Sequence, residues 1–486
     1  MHSPQSSAAL KERYGERYRW LLLLSVLAGT IASIIPSTSM NLAIPALSAH
    51  FRLGQDSAQW VASGFMVAST MAMLTTPWLL SRYGYRSTYA AAILLLMAGG
   101  IVGGLAQHYP VLLAARVAEG LAAGIIQPIP AVIILYAFPP NQQGRAGGLF
   151  GMGVVLAPAI APTLGGLLVD WMGWRSTFFM VLPPAALSLW LAWRFVPTSA
   201  PGGAERDTDG AGLDWVGLTL ATVGTLCLLN GLATLQGGTA LDASVLLASA
   251  VLCLWAFIAW QRRLLQRGSK ALMDLRLFRS RPFVMGCIVS FIYGTAMFGS
   301  TYLLPLFIQQ GLGLSATQAG TLMLPAGLVL AITIPLVGRM ADTQPTHWLV
   351  GLGLGLLALS FTFMHWVDTT TALWLLASFI VIGRIGLGFI LPSLNLGTLR
   401  PLDRALIAQG ASTASFLRML GGATGVGLAG IVLEWRLAVH SANAALSLPA
   451  ARMQAFHDTF WLLTLLCLLA LCAASQLRAA PPPAAS

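Results

Sequence analysis

The stretch "APAIAPTLGGLLVDWMGWRSTFFMVLP" runs from Ala157 to Pro183 and combines prolines and glycines within one apolar segment. Pro158, Pro162 and the adjacent pair Gly165 and Gly166 follow one another at spacings close to one helical turn, so they form a ridge on a predicted helix. Glycine lets a neighbouring backbone approach closely, and proline removes an amide hydrogen bond and bends the helix. We predict a helix that acts as a hinge, and tight static packing of the same residues is the alternative.

The composition around this stretch is that of a membrane protein. The chain has 486 residues, of which 57% are hydrophobic and 9% are charged, and its mean hydropathy is +0.76. A soluble domain carries roughly a quarter of charged residues, so a polar surface cannot be built here. Apolar runs of about 20 residues, each long enough to cross a bilayer, recur along the chain. We predict an all-α membrane protein with fourteen transmembrane helices, arranged as groups of six, two and six.

The net charge of +11 comes from basic residues in short loops between the apolar runs. Most of them fall on the side of the two termini, whereas Arg52, Arg175, Arg436 and Arg452 fall on the other. Under the positive-inside rule this asymmetry predicts that both termini are cytoplasmic, in the bacterial inner membrane. No folded basic surface remains for nucleic acid once the spans are removed, so nucleic-acid binding is not expected.

Several classes of chemistry lack support in the sequence. The five cysteines lie in apolar segments, their number is odd and no CxxC pair occurs, which argues against disulfides and metal clusters. No P-loop and no HExxH motif is present, so neither ATP-driven pumping nor zinc proteolysis is indicated. We therefore expect a protein that is not an enzyme and that needs no cofactor.

Short motifs recur in the same order in the two halves of the chain. "SRYGYR" begins at Ser81 and "GRMADTQ" at Gly338, while "RVAEG" begins at Arg116 and "RIGLG" at Arg384. This order indicates a duplicated six-helix unit, a common construction of secondary transporters. The predicted segments are a cytoplasmic tail (1–18), an N-terminal six-helix bundle (19–196), a cytoplasmic linker (197–213), two additional transmembrane helices (214–261), a basic cytoplasmic loop (262–282), a C-terminal six-helix bundle (283–477) and a cytoplasmic tail (478–486).

Polar residues inside the predicted spans share helix faces. At 100° per residue, Arg116, Glu119 and Gln127 fall within about 80° of one another. Such faces normally turn toward the interior of a bundle or a water-filled cavity, so we predict that they line a translocation path. Interhelical hydrogen bonding is the alternative for the hydroxyl-bearing positions. The predicted substrate cavity comprises Asn41, Ser37, Gln127, Arg384, Asn395 and Arg418.

Glu119 is the carboxylate that the sequence places nearest to mid-membrane. A proton-coupled exporter needs a group that is charged when it faces one side and neutral when it faces the other. Burial opposes the ionisation of a carboxyl, whereas Arg116, one turn away, favours it. We predict that Glu119 and Arg116 couple transport to protons. The alternative is a static ion pair that neutralises itself and stabilises the helix.

Taken together, these features resemble the major facilitator superfamily, in particular its fourteen-span drug/proton antiporter branch of the QacA and EmrB type. The resemblance covers about residues 19–477, and the Ala157–Pro183 stretch, which looks like the antiporter signature of the fifth span, is its most specific part. Further landmarks are "SAQWVASGFMVA" (Ser57 to Ala68), "LDWVGL" (Leu213 to Leu218), "LMDLRLFRSRPF" (Leu272 to Phe283) and "FLRMLGGATGVGLAG" (Phe416 to Gly430).

Two departures from the family pattern concern protons. The family usually has an aspartate, often tied to proton or cation handling, where this chain has Pro36. Its fourth-span motif usually reads Arg-x-x-Gln-Gly, whereas Glu119 stands here in place of the glutamine. We therefore interpret Glu119 as the residue to which the proton-responsive role has moved.

A third departure concerns the cytoplasmic motif after the second span, where Pro77 and Ser81 replace the family's glycine and aspartate. The second copy keeps Gly338, Arg339 and Asp342, which we predict to form a cytoplasmic latch. The alternative for these charges is a solvated pair in a loop.

The resemblance implies a proton-coupled efflux antiporter of the multidrug type, which exports small amphipathic or hydrophobic compounds by alternating access and is driven by the proton gradient. Its expected partners are the substrate, protons and membrane lipid, and the resemblance also allows a periplasmic adaptor and an outer-membrane channel. One alternative is a dedicated exporter of an endogenous metabolite or an organic or fatty acid anion, because three arginines and one glutamate lie within spans. A second is a sensor or scaffold with the transporter fold.

Overall fold

The computed structural model describes residues 7–198, 212–237, 239–442 and 447–477, and its regular elements in these ranges are all helices. The helices of the first part are α1 (Ser7–Tyr14), α2 (Tyr18–Phe51), α3 (Gln55–Tyr83), α4 (Tyr85–Gly104), α5 (Tyr109–Ile126), α6 (Ile129–Ala137), α7 (Gln143–Met172), α8 (Ser176–Phe179) and α9 (Leu182–Phe195). Those of the second part are α10 (Trp215–Gly237), α11 (Ala240–Gln266), α12 (Arg281–Leu306), α13 (Ala316–Met340), α14 (Thr346–Met364), α15 (Leu373–Leu399), α16 (Ile407–Ser441) and α17 (Leu448–Ala474).

Twelve helical segments within the described ranges are long and apolar enough to cross a membrane. The helices α3 and α7 are not among them, although they contain 29 and 30 residues. At 1.5 Å per residue each is about 44 Å long, more than the hydrocarbon core of a bilayer requires. The exact number of fourteen spans therefore stays a prediction.

The first of two units consists of Met1–Thr222, Trp260–Asp274 and Asp403–Phe416. In it α2 packs against α7 and α9, and α5 packs against α3 and α4. The beginning of α16 belongs to this unit, because the Tyr136 hydroxyl donates to the carbonyl of Arg404 and the Ser412 hydroxyl to that of Met73. A part of the predicted C-terminal segment therefore clusters with helices of the first half.

The second unit consists of Val223–Ala259, Leu275–Leu402 and Leu417–Ser486. Here α12 packs against α17, and α15 packs against α13 and α14. These pairs repeat the pairing of α2 with α9 and of α5 with α3 and α4 in the first unit. The internal packing of the two units thus follows the duplicated pattern of the sequence motifs.

Close backbone contacts hold the helices together at glycines. A Cβ atom on Gly120 would lie 2.4 Å from the carbonyl oxygen of Phe65, and one on Gly124 would lie 2.1 Å from that of Ser69. The Gly-x-x-x-Gly spacing of α5 therefore lets α3 approach to backbone contact. The second unit uses the same device, since a Cβ on Gly421 would lie 2.1 Å from the Phe291 carbonyl oxygen.

The apolar segment Tyr109–Ala137 qualifies as one membrane span, as its apolar length predicts. The helix α5 ends at Ile126 and α6 begins at Ile129. Gln127 and Pro128 between them keep helical backbone, with φ of −58° and −75°. Proline lacks an amide proton, so the helix loses a hydrogen bond at this point. The partly exposed Gln127 side chain lies at the C-terminal end of α5.

The end of the Ala157–Pro183 stretch is anchored in the core of the first unit. The helix α7 ends at Gly173, whose φ of 76° is readily adopted by glycine. Trp174 follows with 6% exposure and packs with Met40, Leu112 and Phe178. The guanidinium of Arg175 donates to the carbonyl of Ala106 at 3.3 Å. The Trp–Arg pair of the stretch therefore fastens the end of α7 to its neighbours.

We expect the substitution Gly124→Ala to lower the stability of the purified protein by about 1–3 kcal/mol, because the new methyl group must displace the backbone of α3. Thermal unfolding in detergent measures the effect. Gly355→Ala is the matched control, since a Cβ at that helical position meets nothing within 4 Å. Equal melting temperatures for Gly124→Ala and Gly355→Ala would contradict the proposed close contact.

Candidate functional site

The centre of the candidate site is a buried ion pair on α5. Nη1 of Arg116 donates to Oε2 of Glu119 at 2.7 Å, and both side chains are 1% exposed. The spacing of three residues places the two groups on neighbouring positions of one helix face. The pair is therefore neutral as a whole, although each member carries a charge when both are ionised.

Arg116 is held by α3 as well as by Glu119. Its Nε donates to the carbonyl oxygen of Val61 at 3.0 Å, and its Cζ lies 4.6 Å from the ring centroid of Phe65. The carbonyl and the π-face both favour a cation. The guanidinium of Arg116 therefore has two stabilising contacts besides the Glu119 carboxylate.

Glu119 lies against α4 at two consecutive glycines. A Cβ on Gly99 would lie 2.8 Å from Cγ of Glu119, and one on Gly100 would lie 3.9 Å from Oε1. Oε1 is buried and has no hydrogen-bond partner, so only one of the two carboxylate oxygens is satisfied. Such an unpaired buried oxygen carries a desolvation cost.

That Arg116 and Glu119 line a path stays a prediction, and in this structure both side chains are buried. The two side chains are enclosed by α3 and α4 within the first unit, because glycines on α4 and α5 let those helices close around them. Gln127, predicted on the same stripe, is partly exposed. In this conformation the pair therefore has the geometry of the static alternative, and its coupling role stays a prediction.

Three hydroxyl groups on α2, including that of the predicted cavity residue Ser37, donate hydrogen bonds to the backbone of their own helix. The hydroxyls of Thr30, Ser33 and Ser37 donate to the carbonyls of Val26, Thr30 and Ile34, at 2.9, 2.8 and 2.7 Å. Ser37 is the partly exposed member of the three, so it alone has access to a solute. The side chain of Asn41 lies outside the described part of the structure, and its role stays a prediction.

The second unit brings two of the predicted residues into contact. Nη1 of Arg418 on α16 lies 3.5 Å from Oδ1 of Asn395 on α15, a long contact. Arg418 and Arg384, which lies on α15, are both partly exposed. A role of these residues in a substrate cavity stays a prediction.

The hinge residues lie in α7, which runs without interruption from Gln143 to Met172. Gly165 is buried there, and a Cβ on it would lie 3.1 Å from Cβ of Ser39, so α7 and α2 are close at this point. The side chains of Pro158, Pro162 and Gly166 lie outside what the structure describes. Close packing is thus present at Gly165, and a hinge motion stays a prediction.

The latch residues lie at the end of α13, where Gly338 is buried and Arg339 is exposed. Asp342 forms an ion pair with Arg400 at 3.7 Å, within the second unit. Arg400, at the end of α15, is thus the arginine that pairs with Asp342, because Arg339 turns its side chain outward. A role of these residues as a latch between the halves remains a prediction.

Comparison with known proteins identifies the family. The chain matches the profile of the Major Facilitator Superfamily over residues 21–426, most of its length. The chain belongs to this superfamily. It is therefore an integral membrane transporter and not an enzyme.

Several curated proteins that this superfamily member resembles are named for export or resistance. It is 28% identical over 428 residues to the multidrug export protein EmrB of Haemophilus influenzae, covering 86% of this chain and 81% of the relative. It is 28% identical over 445 residues to the fatty acid resistance protein FarB of Neisseria gonorrhoeae, covering 89% and 84%. It is 24% identical over 409 residues to the lincomycin resistance protein LmrB of Bacillus subtilis, covering 84% of each.

Solved structures confirm the major facilitator fold. The proton:xylose symporter XylE aligns with a TM-score of 0.65 over 94% of this chain and 95% of its own, at 14% identity. The human organic anion transporter MFSD10 aligns with a TM-score of 0.61 over 93% and 99%, at 16% identity. At such identities the likeness concerns the fold alone.

One polar network of this superfamily member was missed by sequence reasoning, although its residues begin at the "LDWVGL" landmark. The carboxylate of Asp214 accepts from Nε1 of Trp260 at 2.9 Å and from Nε2 of Gln261 at 2.7 Å. Oε1 of Gln261 in turn accepts from the amide of Met273 at 3.2 Å. The network joins α10, α11 and the basic loop. The landmark contains Asp214, but its partners Trp260 and Gln261 are distant in the sequence, so the sequence alone did not predict the network.

A second polar group contains Arg436, which the sequence analysis places only on the side opposite the termini. Oδ2 of Asp458 on α17 contacts Nε of Arg436 at 2.5 Å and Nε2 of His440 at 2.7 Å, both on α16. The helix α16 extends to Ser441, so these residues share a helix–helix contact rather than a loop. The group stabilises the junction of α16 and α17.

We expect Arg116→Met and Glu119→Met each to cost about 3–5 kcal/mol of stability, because each leaves one buried charge unpaired. The double substitution should recover most of that loss, since it removes both charges. Unfolding of the purified single and double variants in detergent measures the coupling energy. Additive losses would show that the two charges do not depend on each other.

Proposed function

We propose that this transporter is a proton-coupled antiporter that exports small amphipathic compounds across the bacterial inner membrane by alternating access, with both termini in the cytoplasm. The names of similar proteins support this proposal, because EmrB is named for multidrug export, FarB for fatty acid resistance and LmrB for lincomycin resistance. An adaptor and an outer-membrane channel remain predictions from the family resemblance.

The observation that carries the proposal is the Arg116–Glu119 pair with its unpaired Oε1. A proton that binds at Oε1 neutralises the carboxylate and removes the charge assistance from the bond between Nη1 and Oε2. Arg116 keeps its contacts with the Val61 carbonyl and the Phe65 ring, so its charge remains stabilised. The net charge of the buried site thus changes by one unit on protonation, as proton coupling requires.

The environment of the pair supports a protonation of Glu119 that depends on the conformation of the protein. Both side chains are nearly inaccessible here, so a proton reaches Glu119 only after α4 and α5 shift or water enters between them. Pro36 occupies α2 where the family usually has an aspartate, and no other carboxylate is predicted near mid-membrane. Glu119 is the group that we assign to proton binding.

We expect Glu119→Gln to lower efflux of ethidium driven by a pH gradient by at least about tenfold, the factor produced by about 1.4 kcal/mol in a barrier. The amide preserves size and hydrogen bonding but cannot bind and release the proton. Proteoliposomes with an imposed gradient measure the rate, and substrate exchange without a gradient should persist in the variant.

Asp170→Asn is the matched control, because it removes an exposed carboxylate at the end of α7. Gradient-driven efflux by Glu119→Gln at the rate of the unmodified protein would reject the proposed role of Glu119. Absence of ethidium efflux from the unmodified protein would instead favour a dedicated exporter or a sensor.

A further inference from the structure

Three exposed arginines lie at the C-terminal end of α11. Arg262 and Arg263 belong to its last two turns, and Arg267 directly follows its last residue. The amide of Arg267 donates to the carbonyl of Arg263 at 3.1 Å, so the helical turn continues to this residue. At 100° per residue Arg263 and Arg267 fall about 40° apart, on neighbouring positions of one face. Two guanidinium groups can therefore approach a single ligand.

The positive charge of these arginines is not neutralised within the protein. Among the described residues, no carboxylate forms an ion pair with any of the three. The carboxylate of Asp214 accepts from Trp260 and Gln261 instead. Because the three guanidinium groups are exposed, their charge is available to an anion outside the protein.

The helix α11 ends in a defined turn. Gly268 has a φ of 67°, which glycine readily adopts. The amide of Ser269 donates to the carbonyl of Leu264 at 2.9 Å, and the amide of Gly268 to that of the next residue at 3.1 Å. This is the pattern of a Schellman motif. Hydrogen bonds therefore satisfy the last carbonyls of the helix and fix the direction in which the chain leaves it.

The chain after this turn is attached to α11 and to α16, by residues of the first unit. The amide of Met273 donates to Oε1 of Gln261 at 3.2 Å, and the amide of Asp274 donates to Oε1 of Gln409 at 2.6 Å. Gln261 is fully buried, and its Nε2 donates to Asp214 at 2.7 Å. This network holds the segment that carries the arginines, so an anion that binds there meets a preformed site.

The apolar part of α11 indicates that the anion belongs to a lipid. Only 17% of the residues in its most apolar window are buried, the smallest share among the twelve candidate spans of the described chain. Four exposed apolar side chains before the arginines fall within about 120° of one another at 100° per residue. They are Val251, Leu252, Trp255 and Ile258. Arg262 lies on the same face, one turn beyond the last of them, so an acyl chain along this face would place its headgroup at the arginines.

We propose that Arg262, Arg263 and Arg267 bind the phosphate group of an anionic phospholipid whose acyl chains cover the exposed face of α11. Guanidinium groups pair with phosphate oxygens through charged hydrogen bonds. Basic clusters directly beyond a membrane span attract anionic headgroups. The site shares no residue with the proposed proton-binding pair or the predicted substrate cavity, so it does not depend on the proposed antiport.

Native mass spectrometry of the purified protein, titrated with dioleoyl phosphatidylglycerol in neutral detergent, tests the site. We expect Arg263→Gln and Arg267→Gln each to weaken the first binding step by about fivefold, and the triple glutamine variant to weaken it by about a hundredfold. Arg82→Gln, which removes an exposed cation at the end of α3 in the same unit, is the matched control and should leave the affinity unchanged. An unchanged affinity of the triple variant, or an equal loss in Arg82→Gln, would overturn the assignment.

Thermal unfolding provides a second readout. Because the three arginines are exposed, the lipid-free triple variant should melt near the unmodified protein, and the single variants carry the same test. Phosphatidylglycerol should raise the melting temperature of the unmodified protein by more than that of the triple variant, since a ligand stabilises the folded state to which it binds. Equal lipid-induced shifts in the two proteins would count against the site.

Two further probes separate an anionic lipid from other sources of phosphate. Dioleoyl phosphatidylcholine has the same acyl chains and a phosphate but no net charge, so it should bind at least about fivefold more weakly. Inorganic phosphate at the same concentration should not displace phosphatidylglycerol, because it lacks the acyl chains. Displacement by inorganic phosphate would replace the proposed lipid with a soluble anion, and equal affinity for the two lipids would reject the role of the arginines.

Discussion

A charge that leaves water inside an apolar helix bundle must be neutralised or remain hydrated, and this constraint governs both candidate sites. The charge of Arg116 is neutralised by Glu119 and is further stabilised by a backbone carbonyl and an aromatic face, and the side chain is almost inaccessible to solvent. Arg384 has no described carboxylate partner and keeps partial access. Corresponding positions of a duplicated unit thus satisfy one physical requirement in two ways.

The positions of four glycines allow the Arg116–Glu119 pair to be enclosed. Gly99 and Gly100 leave room on α4 for the Glu119 side chain, while Gly120 and Gly124 bring α3 against α5. Any side chain at these positions would separate helices that enclose the ion pair. Burial of the pair and tight packing of the first unit are therefore consequences of the same small residues, and neither can be changed without the other.

The helical membrane fold and its duplicated unit were predictable from the sequence. The length of the apolar runs indicates the helices, and the repeated motifs indicate the duplication. The ion pair was predictable as well, since it is local to α5. Its enclosure was not, because Gly99 and Val61 lie on other helices and nothing in the sequence tells which faces meet. The Asp214 network escaped notice for the same reason, since Trp260 and Gln261 are distant from Asp214 in the sequence.

The charge of the substrate also bears on the energetics of the proposed exchange. Exchange of a monovalent cation such as ethidium for one proton moves no net charge, so the membrane potential does not drive it. Exchange of an organic anion for one proton moves two charges, each worth about 2.3 kcal/mol per 100 mV of membrane potential. If Glu119 carries one proton in each cycle, as proposed, acidic substrates would therefore have the larger driving force.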